Sequence, residues 1–170
     1  MTVRHMLTTE TTNESWPAAP DWSALANRAT TAAVARTPYV ALAASSRTIE
    51  ISIRLTDDSE VKDLNRDHRG KDKPTNVLSF PMCDAEEIAT LDASPMPEIL
   101  LGDIVLARGV CEAEAAEKGV TLEAHFTHLV VHGLLHLLGY DHLEEGEADA
   151  MEAIERQALS DLGYADPYGD

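Results

Sequence analysis

Phe126-Thr127-His128-Leu129-Val130-Val131-His132-Gly133-Leu134-Leu135-His136-Leu137-Leu138-Gly139-Tyr140-Asp141-His142 is the most informative stretch of the chain. Its apolar residues cover nearly every direction around a helical axis, which predicts a helix buried on most sides. His132 and His136 are four residues apart, so they stand one turn apart on one helix face. Gly139 offers the left-handed conformation that ends a helix. A turn there brings His142 back toward the other two imidazoles. Three such nitrogens suit zinc, which takes them at ~2.0–2.1 Å and keeps a fourth position for water. The spacing therefore predicts one zinc ion per chain, on a helix and the loop after it.

The 170 residues are enough for one domain, 1–170, with a core that needs no staples. An apolar fraction of 44% and a charged fraction of 25% are ordinary for a globular protein. Cys83 and Cys111 make no disulfide framework and are expected to be inert thiols in a reducing compartment. No signal-peptide pattern or apolar run of membrane-spanning length is visible, so a cytoplasmic protein without a membrane partner is expected. The formal net charge of −17 argues against indiscriminate binding to nucleic acid.

Along the chain, Thr2–Leu7 reads as an edge strand and Thr8–Pro20 as a loop. Asp21 is a candidate cap for a helix from Trp22 to Arg36. Ile49, Ile51, Ile53 and Leu55 alternate with polar neighbours, which predicts a half-buried strand over Thr48–Leu55. Asp57 and its neighbours open a short helix through Asn65. Arg66–Lys73 is the only concentrated basic stretch, and Gly70 and Pro74 mark it as a loop. Thr75–Pro81 and Gly102–Ala107 read as short strands, with an acidic surface loop over 84–99 between them. Helices follow at 108–118, 121–138 and 143–161. The acidic side of the last one (Glu144, Glu145, Glu147, Asp149, Glu152, Glu155) reads as a solvated face. Strands early and helices late predict an α+β domain with about five helices.

The histidine spacing matches the ligand pattern of metzincin peptidases, which place a glutamate directly after the first histidine as general base. Here that residue is Gly133, and losing such a base costs roughly 10²–10⁴ in rate. The scaffold of ligands is present without the peptidase apparatus. Hydrolysis of a phosphodiester is the natural alternative; it needs a cation for the charge that develops on the phosphoryl oxygens. Arg69 offers a planar fork that matches phosphate geometry, although a solvated arginine would look the same in sequence.

The His132–His142 stretch resembles the signature of the YbeY family, described as metal-dependent endoribonucleases that mature bacterial rRNA. Arg69-Gly70-Lys71-Asp72-Lys73-Pro74-Thr75-Asn76-Val77-Leu78-Ser79-Phe80-Pro81 is similar to that family's second block. Leu101-Gly102-Asp103-Ile104 resembles its third, and Gly163-Tyr164-Ala165-Asp166-Pro167-Tyr168 its C-terminal end. The resemblance spans about residues 48 to 168. It implies a compact α+β fold with a small mixed sheet and a bound zinc ion held by His132, His136 and His142. It also implies Arg69 as the functional arginine, with His132 and Arg69 as the catalytic pair. Single-stranded RNA would be the substrate, with roles in maturing the 3′ end of 16S rRNA and in ribosome quality control. Where the family often carries an aromatic before the arginine, this chain has His68.

The general base is not identified by these residues. A ribosome assembly factor with a structural metal is a second reading, and a metal hydrolase such as a peptidase a third, which Gly133 disfavours. His128 and Asp141 are candidates for groups that orient the ligands, while His125 and His5 read as incidental. Asn76 and Ser79 either line the site or terminate a strand. The acidic chain suits basic proteins of the small ribosomal subunit as partners, and DNA is not an expected one.

Overall fold

A computed structural model of the chain describes residues 7–39, 48–90, 98–140 and 145–168. In them the elements run β1 (Leu7–Asn13), α1 (Trp22–Ala35), β2 (Thr48–Thr56), α2 (Asp58–Arg69), β3 (Val77–Pro81), α3 (Ala85–Ala89), β4 (Glu98–Ala107), α4 (Arg108–Lys118), α5 (Leu122–Leu137) and α6 (Glu145–Asp161). The four strands form one mixed sheet in the order β1-β2-β4-β3. β1, β2 and β4 are parallel, and β3 runs antiparallel to β4 at the edge. The expected α+β class and small mixed sheet are what the chain forms.

Alternation along β2 puts Ile49, Ile51, Ile53 and Leu55 into the main core, which they share with α1, α5 and α6. β4 divides its residues in the same way. Ile104 and Leu106 face the main core, while Val105 and Ala107 join Val61 of α2 and Leu78 of β3 in a smaller cluster. Helices therefore cover both faces, which parallel strands require. Trp16 and Trp22 meet Phe126 of α5 edge-on, with centroids 5.8 Å and 4.9 Å away, an arrangement favoured by ring quadrupoles.

Several boundaries differ from the sequence-based expectation. The edge strand is Leu7–Asn13, which shares only Leu7 with the stretch read as a strand and otherwise lies in the stretch read as a loop, while residues 2–6 lie outside the described residues. Its threonines are β-branched, and their polarity suits an outer strand. α2 runs one turn past Asn65 to Arg69, so half of the basic stretch is helical. Its basic last turn lies at the negative end of the helix dipole, and Gly70, at φ 71°, ends it. The acidic stretch after residue 84 contains α3, closed by a reciprocal cap between Asp84 and Glu87. β4 starts at Glu98 rather than Gly102. These changes give six helices among the described residues where about five were expected.

Gly133 sits where α5 lies against β4. A Cβ there would come within 3.1 Å of the Ile104 side chain on β4. Glycine thus allows the helix carrying the histidines to seat directly on the sheet.

Candidate metal centre

α5 carries His125, His128, His132 and His136. The last two meet: their Nε2 atoms are 3.0 Å apart. On the far side of each ring the protein supplies an acceptor. His136 Nδ1 is 2.9 Å from the carbonyl oxygen of Tyr140, and His132 Nδ1 is 2.5 Å from Glu155 Oε1. A carbonyl only accepts, so His136 carries its proton on Nδ1. Glu155 acts likewise on His132. With both protons on Nδ1, the two Nε2 atoms that lie 3.0 Å apart are both acceptors, which is what a shared cation needs.

The distance supports that use. Two nitrogens each ~2.0–2.1 Å from zinc, at angles between square and tetrahedral, would lie about 2.9–3.4 Å apart. The Tyr140 carbonyl reaches His136 because the chain turns at Gly139, with φ 97°. There Gly139 N donates to His136 O at 3.0 Å and Tyr140 N to Leu135 O at 3.0 Å. The glycine stop read from the sequence is thus present. His142 and Asp141 lie outside the described residues. Among those described, no group of three histidine, cysteine or acidic side chains is placed to hold a metal ion, so two of the three expected ligands are brought together.

Glu155 was misplaced by the sequence reading, which counted it on the solvated face of α6. It is fully buried, at 0% exposure. Besides His132 it bonds the hydroxyl of Tyr168 through Oε2, and His128 Nε2 lies 3.7 Å from Oε1. Burial pushes its carboxyl up, but hydrogen bonds from His128, His132 and Tyr168 outweigh burial and bring it down to about 2. Burial and the bond to Glu155 push the Tyr168 phenol well above its ordinary range, so it stays a donor. The signal was in the sequence. Met151, Glu155, Ala158 and Leu159 are spaced 4, 3 and 1 apart on α6 and are all buried, so Glu155 interrupts an apolar stripe.

Arg69 is the last residue of α2 rather than a loop residue, and its Nη2 donates to Ser79 O at 3.4 Å. Ser79 pairs with Ile104 across the β3–β4 ladder, and Ile104 is the residue against which Gly133 packs. The guanidinium is therefore anchored on the strand beside the seat of α5. His68 meets Phe80 in a tilted arrangement with centroids 5.0 Å apart, making the ring contact that an aromatic would make there. Arg66 is engaged by Asp63, Asp67 and Asp72.

The remaining candidates fall elsewhere. His128 reaches Tyr168 OH at 3.3 Å, an orienting position. His125 packs away from the pair: it is buried, and its Nε2 is 2.8 Å from Glu114 Oε1. Asn76 also bonds Glu114, at 3.0 Å, and so pins the start of β3 to α4. Cys83 and Cys111 are buried free thiols whose pKa burial pushes up. His5 lies outside the described residues. At the position of the metzincin glutamate, Gly133 faces Ile104, so a side chain there would enter the sheet core.

The family model of Endoribonuclease YbeY matches residues 10–163. The chain belongs to the YbeY family. A protein named Endoribonuclease YbeY from Sphingopyxis alaskensis is 58% identical over 155 residues, 91% of this chain and 92% of that one. Another of the same name from Rhizorhabdus wittichii is 60% identical over 153 residues, 90% of each chain. The solution structure of TM1509 from Thermotoga maritima has the same fold, with a TM-score of 0.54 at 20% identity over 97% of this chain and all (100%) of that one.

Proposed function

We propose that this YbeY-family chain is a zinc-dependent endoribonuclease that cuts single-stranded RNA and matures the 3′ end of 16S rRNA, with a role in ribosome quality control. Supporting it most directly is the convergence of His132 and His136 at 3.0 Å, each ring held from behind through Nδ1. Together with His142 these residues would hold one zinc ion. Zinc, when bound, supplies Lewis acidity and lowers the pKa of a water. The chain's own groups do the rest. Glu155 draws on the Nδ1 proton of His132 and makes Nε2 a better donor. Arg69 presents two N–H groups to phosphate oxygens as negative charge develops there.

With a net charge of −17, the chain would bind isolated RNA weakly, and its acidic faces suit basic proteins of the small ribosomal subunit. We place its action in the cytoplasm, where pre-ribosomal RNA is matured.

The test is metal content and cleavage of a short single-stranded RNA, for the wild type beside His136→Ala. One zinc per wild-type chain, and loss of both zinc and cleavage in the variant, is the expected result. A variant that keeps full zinc overturns the ligand assignment. Full zinc without cleavage by the wild type, with retained binding to the small subunit, assigns an assembly factor with a structural metal instead.

A further inference from the structure

Behind the paired histidines lies a chain of groups that reaches the segment after α6. His132 Nδ1 donates to Glu155 Oε1 at 2.5 Å. The other carboxylate oxygen takes the hydroxyl of Tyr168, and His128 Nε2 lies 3.3 Å from that hydroxyl. Glu155 is at 0% exposure, where an unsatisfied carboxylate is costly. Tyr168 comes from the segment after α6, and that segment is tied down. Tyr164 N donates to Leu159 O at 2.9 Å. Tyr168 N donates to Asp166 Oδ1 at 2.8 Å. Arg156 pairs with Asp166 at 3.2 Å, and its guanidinium sits 5.3 Å from the Tyr168 ring centre.

We propose that Glu155 and Tyr168 are positioning residues for the metal centre: Tyr168 pins one oxygen of Glu155 so that the other keeps the proton of His132 on Nδ1 and its Nε2 turned toward His136. The proposal rests on the zinc reading above. A neutral imidazole has two tautomers, and only the one protonated on Nδ1 can ligate through Nε2. An acceptor fixed behind Nδ1 selects that tautomer. The carboxylate needs fixing in turn, because the terminal torsion of a glutamate is broad and His128 competes for Oε1 from 3.7 Å. The C-terminal segment thereby acts on a metal ligand 36 residues upstream without touching the metal position.

The experiment uses the full-length wild type, Glu155→Gln, Glu155→Ala and Tyr168→Phe. Zinc affinity is measured by competition with a chromogenic chelator. The tautomer of His132 is read by ¹⁵N NMR on metal-free protein. Zinc binding is expected to weaken roughly 10–100-fold in Glu155→Gln and about tenfold in Tyr168→Phe. In Glu155→Ala the metal-free His132 should move toward the Nε2–H form. Affinities within twofold of wild type in Glu155→Gln and Tyr168→Phe, or an unchanged tautomer in folded Glu155→Ala, would overturn the proposal. If the Glu155 variants do not fold, Tyr168→Phe, which removes only a hydroxyl, decides by its zinc affinity. If the wild type takes up no zinc, the zinc reading fails by itself, and the tautomer measurement still decides whether Glu155 positions His132.

Discussion

The four histidines of α5 form two pairs that the protein holds by opposite ends of the ring. In the first pair, His125 and His128 direct Nε2 at protein groups, Glu114 and the Tyr168 hydroxyl. In the second, His132 and His136 are gripped at Nδ1 by Glu155 and the Tyr140 carbonyl, and their Nε2 atoms face each other. All four rings are on one helix, and a carboxylate lies near both pairs. What separates the two pairs is which ring nitrogen the protein's own groups occupy.

Exchanging one member of each pair gives the largest expected contrast. His136→Ala should lose zinc and RNA cleavage altogether, while His125→Ala should keep one zinc per chain and most of its activity. Truncating His125 removes a buried partner of Glu114, so that variant should still be less stable, by about 1–3 kcal/mol in denaturant unfolding. Loss of zinc from His125→Ala would erase the distinction.

A second test concerns the cation at the end of α2. Arg69→Glu should slow cleavage by roughly 10²–10³, or ~2.7–4 kcal/mol, and Arg69→Lys by less, since lysine offers a point charge in place of a fork. Zinc content should be unchanged in both, as Arg69 donates to a backbone carbonyl of β3. Near-normal turnover in Arg69→Glu would make the arginine a surface residue.

Gly133 stands between the two residues of the second pair. Glutamate at this position should give no peptidase activity, because the side chain would meet Ile104 in the core. It should instead cost about 1–3 kcal/mol from overpacking, with a further cost for the buried charge. Chelator-sensitive peptide cleavage by Gly133→Glu would show that the position faces the metal after all.

The smallest effect is one of pH, and it belongs to the first pair. Burial lowers the pKa of His125 against an opposing hydrogen bond from Glu114. A histidine with a lowered folded-state pKa gains a proton more readily when unfolded. Its contribution is therefore intact above about pH 6.5 and is lost as the pH falls from there through the folded-state value, at no more than about 1.4 kcal/mol per pH unit. Unfolding at pH 7.5 and 5.5 should show this loss in the wild type and a smaller one in His125→Gln. Equal losses in the two proteins would remove the burial argument.

The sequence by itself determined what short-range spacing controls. The alternation of β2, the Asp21 cap of α1, the apolar helix α5 and its stop at Gly139 are all as expected from their residues. So is the meeting of His132 and His136, because four residues along a helix is a fixed distance. Only the tertiary structure decided that Glu155 meets His132, 23 residues away, because its place in the apolar stripe of α6 does not say which surface that stripe meets until α6 packs against α5. The same holds for the Arg69 bond to β3 and for the polar strand β1, which exists because β2 offers it an edge. Helical and strand periods are written into neighbouring residues, whereas a carboxylate's choice between water and a buried imidazole depends on which surfaces meet when the chain folds.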